Sequence, residues 1–482
     1  MLERLTATNL ADICGGQWFN PPQHSFTGMQ IDSRAMQAGD LFVALTGSQN
    51  DGHKFVSGLQ SDQNQGAIVS QINSCLHIPQ LAVQAPKQAL QQLAQHIASA
   101  TTAKKIAITG SVGKTGTKDM LHHCLSELCR THATSGNYNN DIGAPLTVAR
   151  MPADTQCLIS ELGMNHAGEI APLSQMIAPD IAIITRIADS HLGHFQSTAE
   201  IADAKAEIFA GMGAEGTAIL PADDAHFEQL KAAAQAAGIT SIITFGADEK
   251  ADIRLINQMR GPNGQALHVR LNGTETKLML GMRAPHWAYS ALICLAVAHL
   301  LDLPVPAVSA KLAAMGDLPG RGACFSLTKG THKTTIIDDA YNAGPASMQA
   351  ALTDLATQTE ANLNDASDSL NSGRLRKAAI LSDMLELGDF AEAAHRGLMP
   401  FILASGVTDI LLIGTQMHAI AAELSKDIQV ACYDTAASAC EDALALTSHA
   451  DVILVKGSHG SGAWQVSEYL AKYGNLGGVD VT

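Results

Sequence analysis

The sequence lacks the patterns that mark secreted, zinc-binding and membrane-spanning proteins. Its nine cysteines are scattered and include no C-x-x-C pair, which favours a reduced, cytoplasmic setting over a disulfide framework or a zinc site. The first ten residues carry no basic-then-apolar secretion signal. The longest apolar stretch, from Ala288 to Leu303, is interrupted by Ser290 and His299 and is too short to span a membrane. It predicts a buried helix.

Positive charge is also scarce. The chain has 30 Lys and Arg residues against 46 Asp and Glu, a formal net charge of −16. This argues against nucleic-acid binding through a basic surface, but not against nucleotide binding, because backbone N–H groups can hold a phosphate locally. The length of 482 residues and the hydrophobic content of 46% predict a folded protein of about three domains.

Short β-branched or apolar runs alternate with segments of helical length, which indicates an α/β fold with largely parallel sheets. The predicted domains are a small α/β domain at residues 1–86, a central domain at 87–318 and a Rossmann-like domain at 319–482. A helix from His286 to Leu303 and the turn-rich residues 316–322 would close the central domain. The polar stretch 358–374 predicts a surface loop or lid. The predicted strands are residues 41–45, 67–70, 81–83, 105–109, 157–161, 181–185, 217–220, 241–245, 334–339, 377–383, 409–414 and 451–457.

A phosphate-binding loop follows the predicted strand Lys105–Thr109, and a helical segment at residues 118–129 comes after it. Ile108 occupies the first glycine position of the G-x-x-x-x-G-K-[ST] pattern, but the compact G-x-x-G-K-T core remains. Lys114 would reach the β- and γ-phosphates of ATP, and the Thr115 hydroxyl would bind Mg²⁺. The predicted nucleotide-binding residues here are Gly110, Ser111, Val112, Gly113, Lys114, Thr115 and Gly116.

A second glycine-rich segment, residues 211–216, fits the G-x-G-x-x-G pattern of dinucleotide-binding proteins. It follows a predicted helix and precedes a predicted strand, which is the reverse of the arrangement that dinucleotide binding requires. We interpret it as a helix end and a turn, and a dehydrogenase is rejected.

Further segments extend the pattern in chain order and together resemble the Mur ligases, in particular the branch that adds a dipeptide. The resemblance covers nearly the whole chain and implies three domains, which bind a UDP-linked substrate, bind ATP, and complete the ligase. It implies ATP-dependent joining of D-alanyl-D-alanine to UDP-N-acetylmuramoyl-tripeptide by a monomer, with no nucleic acid or membrane partner. The segments are residues 31–55, 134–147, 161–170, 191–195, 201–209, 338–348, 383–388 and 455–458.

The resemblance implies chemistry through an acyl phosphate. A carboxylate is a poor electrophile, so ATP phosphorylates it before an amine attacks, and two Mg²⁺ ions offset the charge. Glu161 and His191 would be Mg²⁺ ligands, and Lys205 would carry CO₂ as a carbamate that helps to hold the second ion. Taken alone, Glu161 could instead cap a loop, His191 could be a structural histidine and Lys205 a solvated helix lysine.

The resemblance also assigns residues that bind the substrates. Ser33 and Arg34 would contact the UDP portion, although Arg34 could equally form a surface salt bridge. Asn137 and Asn140 would donate hydrogen bonds to phosphate or carboxylate, although turn asparagines are common in such loops. The amino-acid-facing surface would include Asp383, Glu386 and Lys456, while helix capping is an equal alternative for the two carboxylates.

The nucleotide would also contact the third domain. Arg321 would reach it at the presumed hinge, while Asp339, Tyr341 and Asn342 would face the ribose and adenine. A solvated pair of carboxylates at a sheet edge is the alternative for Asp338 and Asp339.

The sequence departs from the family pattern at three positions. Ser290 stands where an asparagine usually contacts adenine, so that hydrogen bond would be missing or water-mediated. Arg186 replaces an asparagine near the metal site, and Ser382 replaces a glycine. The alternatives to the dipeptide ligase are another Mur-type or folylpolyglutamate-synthetase-like ligase, and a nucleotide-binding homologue without catalysis.

Overall fold

The computed structural model describes residues 1–47, 50–189, 195–261, 263–329, 332–359, 375–424 and 426–476. These residues form two compact units. The first comprises Met1–Gly110, Thr117–Thr185 and Ala202–Thr244, and the second comprises Ser111–Gly116, Arg186–Ile201 and the chain from Phe245 onward.

The described chain contains α-helices, short 3-10 helices and strands. The α-helices are α1 (Ala7–Cys14), α2 (Pro86–Ala100), α3 (Lys114–Leu125), α4 (Gly143–Ala149), α5 (Ile170–Ile177), α6 (Thr198–Ala206), α7 (Phe227–Ala236), α8 (Trp287–Leu300), α9 (Val305–Ala314), α10 (Pro345–Thr357), α11 (Ala391–Arg396), α12 (Met399–Ser405), α13 (Thr415–Ala421), α14 (Ala436–Leu446) and α15 (Ala463–Leu476). The 3-10 helices are Leu2–Arg4, Ser33–Ala35, Gly52–Gly58, Ser61–Gln63, Glu207–Gly211, Gly388–Phe390 and His459–Ser461.

The strands are β1 (Gln17–Phe19), β2 (Gly28–Gln30), β3 (Asp40–Val43), β4 (Gly66–Val69), β5 (Gln80–Ala82), β6 (Lys104–Thr109), β7 (Thr131–Ala133), β8 (Cys157–Glu161), β9 (Ile181–Ile184), β10 (Thr217–Pro221), β11 (Ser241–Gly246), β12 (Ile253–Gly261), β13 (Gly264–Leu271), β14 (Thr274–Leu280), β15 (Ala323–Lys329), β16 (His332–Asp339), β17 (Lys377–Ser382), β18 (Val407–Ile413), β19 (Gln429–Tyr433) and β20 (Val452–Lys456).

The first unit begins with a five-stranded sheet in the order β1-β5-β4-β3-β2, parallel except for β1. Helix α1 begins after Thr6, whose hydroxyl accepts the N–H of Asn9 in a capping box. Helix α2 begins at Pro86, where proline suits the first turn because no intrahelical N–H bond is lost. Its apolar residues recur every three or four positions, so one face is buried.

The same unit contains the parallel strands β10-β9-β6-β8-β7. Strand β6 lies between β8 and β9, so the chain moves to opposite sides of β6 as the sheet is built. The carboxyl end of β6 is therefore a topological switch point, where ligands of α/β proteins bind. The phosphate loop leaves the sheet at this end, and β8 ends beside β6 here, since Glu161 pairs with Ile108.

The second unit contains an antiparallel meander and a six-stranded sheet. Strands β12, β13 and β14 pair in succession, and β12 also pairs with the end of β11. The six-stranded sheet has the order β15-β16-β20-β17-β18-β19, parallel except for β15. Helices cover both of its faces, and two clusters of buried apolar side chains fill the space between helices and sheet.

The α/β prediction is confirmed, and each of the twelve predicted strands overlaps an observed one. The antiparallel meander was not predicted from the alternation of strands and helices. Helix α3 begins at Lys114 and ends at Leu125, four residues earlier at each end than predicted, because the phosphate loop itself supplies its first turn. Residues 211–216 end a 3-10 helix and form a turn before β10, as predicted, and Gly216 N–H donates to Gly213 O at 2.9 Å.

The predicted helix from His286 to Leu303 is observed as α8 over fourteen of those residues. Most of the predicted loop or lid at 358–374 lies outside the described residues. Within the described part of the chain, no helix combines the length and apolarity needed to cross a membrane.

Candidate active site

The phosphate loop adopts a backbone conformation that its glycines make accessible. Gly110 has φ of +146° and Gly113 has φ of +85°, values that side-chain-bearing residues rarely adopt. The Lys114 ammonium donates to Ser111 O across the loop at 3.4 Å. Helix α3 begins at Lys114, and the N-terminus of a helix carries a partial positive charge that favours a bound anion.

The Ser111 side chain also indicates that the loop binds a polar ligand. This residue is 9% exposed, and within the described part of the chain its hydroxyl has no hydrogen-bond partner. Its N–H is held, because it donates to Arg186 O at 2.7 Å. A buried hydroxyl without a hydrogen bond is unfavourable unless a ligand supplies the partner. The loop is therefore suited to binding the phosphate groups of a nucleotide. Arg186, one of the three departures, thus supports the loop through its carbonyl while its side chain is exposed.

Glu161 is a buried carboxylate at the carboxyl end of β8. It is 1% exposed and accepts a hydrogen bond from Asn139 Nδ2 at 2.7 Å. Gly163 leaves room for the asparagine, because a methyl group there would lie 2.7 Å from Asn139 Cγ. A buried carboxylate oriented by an amide is suited to binding Mg²⁺, which prefers oxygen ligands.

Lys118 fixes the loop that carries Asn139. Its ammonium is 3% exposed and donates to Thr134 O at 2.9 Å and to Gly136 O at 3.4 Å. The Thr134 hydroxyl in turn accepts the N–H of Glu161 at 3.0 Å. Sequence reasoning passed over both Asn139 and Lys118, although each lies within a segment that carried the resemblance.

The two asparagines that were singled out differ from Asn139 in their surroundings. Asn140 Oδ1 accepts the N–H groups of Ile142 at 3.2 Å and Gly143 at 2.9 Å, so the side chain stabilises the start of α4. Asn137 is exposed, and its carbonyl accepts the N–H of Asn139 at 2.7 Å. The turn role considered as the alternative therefore describes Asn140 in this structure.

The remaining predicted metal-site residues are Lys205 and His191. Lys205 lies near the end of α6 and is fully buried, which removes the reading as a solvated helix lysine. His191 lies outside the described residues. Among the residues that are described, no cluster of three or more His, Cys, Asp or Glu side chains is arranged to hold a metal ion.

The predicted UDP contacts lie on the surface of the first unit. The Arg34 side chain is 89% exposed. Its guanidinium donates two hydrogen bonds to the Asp32 carboxylate, from Nε at 2.9 Å and from Nη2 at 2.7 Å. This fork lowers the pKa of Asp32 to about 2. Ser33 begins the 3-10 helix that presents Arg34. The geometry matches the surface salt bridge and leaves the guanidinium accessible to a phosphate.

The third domain brings an ion pair to the carboxyl ends of adjacent strands. Asp339 on β16 and Lys456 on β20 are direct neighbours in the sheet. Lys456 is 2% exposed and donates to the Asp339 carboxylate at 2.6 Å and to Asn342 O at 3.1 Å. Lys456 therefore neutralises Asp339 and fixes the segment that carries Asn342, which is itself exposed.

Arg321 lies over the ring of Tyr341, with the guanidinium carbon 4.0 Å from the ring centroid. The turn that carries Arg321 is fastened to Asp338, whose carboxylate accepts the N–H of Gly320 at 2.8 Å. The structure thus places Arg321 and Tyr341 together, and gives Asp338 a structural role.

The loop from Asp383 to Gly388 is held at its beginning. The Asp383 carboxylate is buried and accepts the N–H groups of Met417 at 2.9 Å and Gln416 at 3.3 Å, so it caps α13. Ser382, another departure, is also buried, and its hydroxyl hydrogen-bonds Ser461 Oγ.

The following residues of this loop are fixed through their backbone. Met384 N–H donates to Nε2 of the buried His395 at 2.9 Å, and Leu385 N–H donates to Ser458 Oγ at 3.0 Å. Glu386 is exposed and has φ of +62°, a strained conformation that is typical of functional positions. Helix capping thus describes Asp383, while Glu386 is presented to solvent.

Comparison with known proteins identifies the family. Three family models match in chain order: the Mur ligase family catalytic domain at residues 25–105, the Mur ligase middle domain at 108–298 and the Mur ligase glutamate ligase domain at 325–459. UDP-N-acetylmuramoyl-tripeptide–D-alanyl-D-alanine ligase of Rickettsia prowazekii is 32% identical over 92% of this chain and 94% of its own length. The chain belongs to the Mur ligase family.

Other members of the family agree. The ligase of the same name from Bacillus subtilis is 33% identical over 82% of each chain, and that from Escherichia coli is 30% identical over 86% of this chain and 87% of its own. The crystal structure of MurF from Acinetobacter baumannii superposes with a TM-score of 0.84 at 29% identity, covering 98% of this chain and 99% of that one. The three-domain Mur ligase architecture is therefore confirmed, and Mur ligases use ATP and Mg²⁺.

Proposed function

We propose that this Mur ligase joins D-alanyl-D-alanine to UDP-N-acetylmuramoyl-tripeptide at the expense of ATP, and so completes the pentapeptide precursor of peptidoglycan. The observation that carries the proposal is the match over most of the chain to ligases of that name, which extends across all three domains. The phosphate loop with its unsatisfied Ser111 hydroxyl supplies the site for ATP.

The residues of this chain divide the chemistry between them. Lys114 and the N–H groups that begin α3 would hold the phosphates of ATP during transfer to the substrate carboxylate. Thr115 and Glu161 would hold Mg²⁺, which offsets the charge that accumulates as two anions approach, and Asn139 orients Glu161. The amine of the dipeptide then attacks the acyl phosphate and releases phosphate.

The third domain would complete the site. Arg321 and Tyr341 would contact the nucleotide, and the neutralised Asp339 would accept hydrogen bonds from the ribose. Glu386, strained and exposed, is the residue of its loop best placed to face the dipeptide, while Asp383 shapes the loop. We also propose that Asn342 contacts the nucleotide and that His191 binds the metal. The proposed substrate-binding residues further include Ser33, Arg34, Asn137, Asn140 and Lys456.

A lysine carbamate at Lys205 is also part of the proposal. A fully buried ammonium beside Mg²⁺ would repel the ion, whereas a carbamate formed with CO₂ carries the opposite charge and attracts it. We further propose that the enzyme works as a monomer in the cytoplasm, and that its domains are residues 1–86, 87–318 and 319–482.

Phosphate release tests the reaction. Purified protein is mixed with ATP, Mg²⁺, UDP-N-acetylmuramoyl-tripeptide and D-alanyl-D-alanine, and phosphate is measured with each substrate omitted in turn. Release that requires both the tripeptide and the dipeptide supports the proposal. Release with a single amino acid in place of the dipeptide would support another Mur-type or folylpolyglutamate-synthetase-like ligase, and ATP binding without any release would support a non-catalytic homologue.

A further inference from the structure

Trp287, the first residue of α8, carries a buried hydrogen-bond donor that the protein does not satisfy. Its side chain is 2% exposed, and the indole Nε1–H has no hydrogen-bond partner in the part of the chain that the structure describes. Buried indole N–H groups usually find an acceptor, since a buried donor without a hydrogen bond is unfavourable. An acceptor supplied by a ligand would remove this penalty.

The indole lies against the phosphate loop. A methyl group on Gly116 would be 2.3 Å from both Cζ3 and Cη2 of Trp287, so the ring occupies the space that the glycine leaves open. Gly116 directly follows Lys114 and Thr115, the residues expected to hold the β- and γ-phosphates and Mg²⁺. Cζ3 and Cη2 belong to the six-membered ring, so Nε1, in the five-membered ring, lies beyond this contact and not in it.

The neighbouring residue His286 lies close to Trp287. The His286 ring lies 4.7 Å from that of Trp287, measured between centroids. His286 is exposed to solvent, yet desolvation by the surrounding protein lowers the pKa of its imidazole. The charges that act on it include Asp339 and Arg321, both expected to face the nucleotide. The start of α8 therefore lies near Asp339 and Arg321.

We infer that Trp287 is a nucleotide-binding residue whose indole N–H donates a hydrogen bond to an acceptor atom of the bound nucleotide. The buried Ser111 hydroxyl is another unsatisfied donor, on the phosphate loop itself. This inference rests on the proposal that the loop binds ATP. It adds a contact that the loop pattern does not contain. It also supplies a donor from the helix in which Ser290 replaces the asparagine that usually contacts adenine.

The substitution Trp287→Phe tests the inference because it keeps an aromatic side chain and removes the donor, together with the outer ring atoms that lie against Gly116. Binding of Mg-ADP is measured by calorimetry, and thermal stability is measured without nucleotide. We expect the Kd for ADP to rise roughly tenfold, the effect of losing one ordinary hydrogen bond. The melting temperature without nucleotide should fall, because the smaller ring leaves space beside Gly116.

Trp18→Phe is the matched control. The Trp18 indole already donates to Ala7 O at 2.7 Å, so its removal should lower the melting temperature and leave the Kd for ADP unchanged. If Trp287→Phe binds ADP as tightly as the wild type, Trp287 is no nucleotide ligand and the inference is wrong. If the wild type itself binds no ADP, the proposed function fails instead.

A measurement on the wild type covers the case in which the variant does not fold. With ¹⁵N-labelled tryptophan, addition of Mg-ADP should move one indole N–H resonance downfield and slow its exchange with water. The Trp18 resonance should stay in place. Indole resonances that all ignore saturating ADP would overturn the inference.

Discussion

The hydrogen bond between Asn139 and Glu161 makes the sharpest prediction about the metal site. Replacing Asn139 by Ala removes the donor to a carboxylate that is 1% exposed, at a bond length of 2.7 Å. A hydrogen bond to a charged group contributes about 1.5–3 kcal/mol, and loss of a group that orients a metal ligand typically weakens metal binding by about 10–100-fold. We therefore expect the Mg²⁺ concentration for half-maximal activity to rise by about 10–100-fold.

The assay is phosphate release at saturating substrates over a Mg²⁺ titration. Activity at saturating Mg²⁺ should recover much of the wild-type value, because Asn139 holds the ligand and is not expected to touch the reacting atoms. Asn140→Ala is the matched control: it removes bonds to the start of α4, so it should lower stability by about 1 kcal/mol and leave the Mg²⁺ titration unchanged. An unchanged titration for Asn139→Ala would refute the reasoning that Glu161 binds the metal through this arrangement.

Three further predictions concern buried groups. Lys205→Ala should abolish activity, and added short carboxylates should restore part of it; indifference to both, in the phosphate assay, would exclude the carbamate. In His395→Gln the amide oxygen can reach the position of Nε2 and accept Met384 N–H, whereas the shorter side chain of His395→Asn cannot. Only the asparagine variant should therefore raise KM for the dipeptide severalfold at unchanged KM for ATP; equal KM values would contradict this. Burial lowers the pKa of His132, so the unfolded chain binds more protons below about pH 6.5, and thermal stability should fall as pH drops through that range. His132→Gln, which keeps a donor to Thr147 O, should flatten that dependence, and an unaltered slope would assign it to other groups.

The sequence carries enough information to predict the parts of the site that depend on neighbouring residues. The phosphate loop is one continuous segment in which strand, glycines, lysine and helix follow each other, so its conformation is specified locally. The alternation of apolar runs likewise specifies the parallel strands. The meander from β12 to β14 was not predicted. Its strands are partly exposed and carry mixed polar and apolar residues, so they lack the apolar runs by which the other strands were predicted.

The choice among adjacent asparagines could not be made from the sequence. Asn139 and Asn140 are consecutive, and only the path of the turn determines that one reaches Glu161 while the other stabilises α4. The pairing of Asp339 with Lys456 is similarly hidden, because it depends on β16 and β20 being neighbours although 117 residues separate the two side chains. Such contacts follow from strand order, which a single sequence does not reveal.

The position of β20 has a consequence for how the protein is made. This strand, the last in the described chain, lies between β16 and β17, so those two strands have no shared partner until the ribosome has released residues 452–456. Pairing over such sequence separations is slow, and the nascent sheet would expose two unpaired edges in the meantime. Premature termination before Val452 would therefore remove the middle of the sheet and leave a fragment prone to aggregation, whereas a break within α15 would spare every strand.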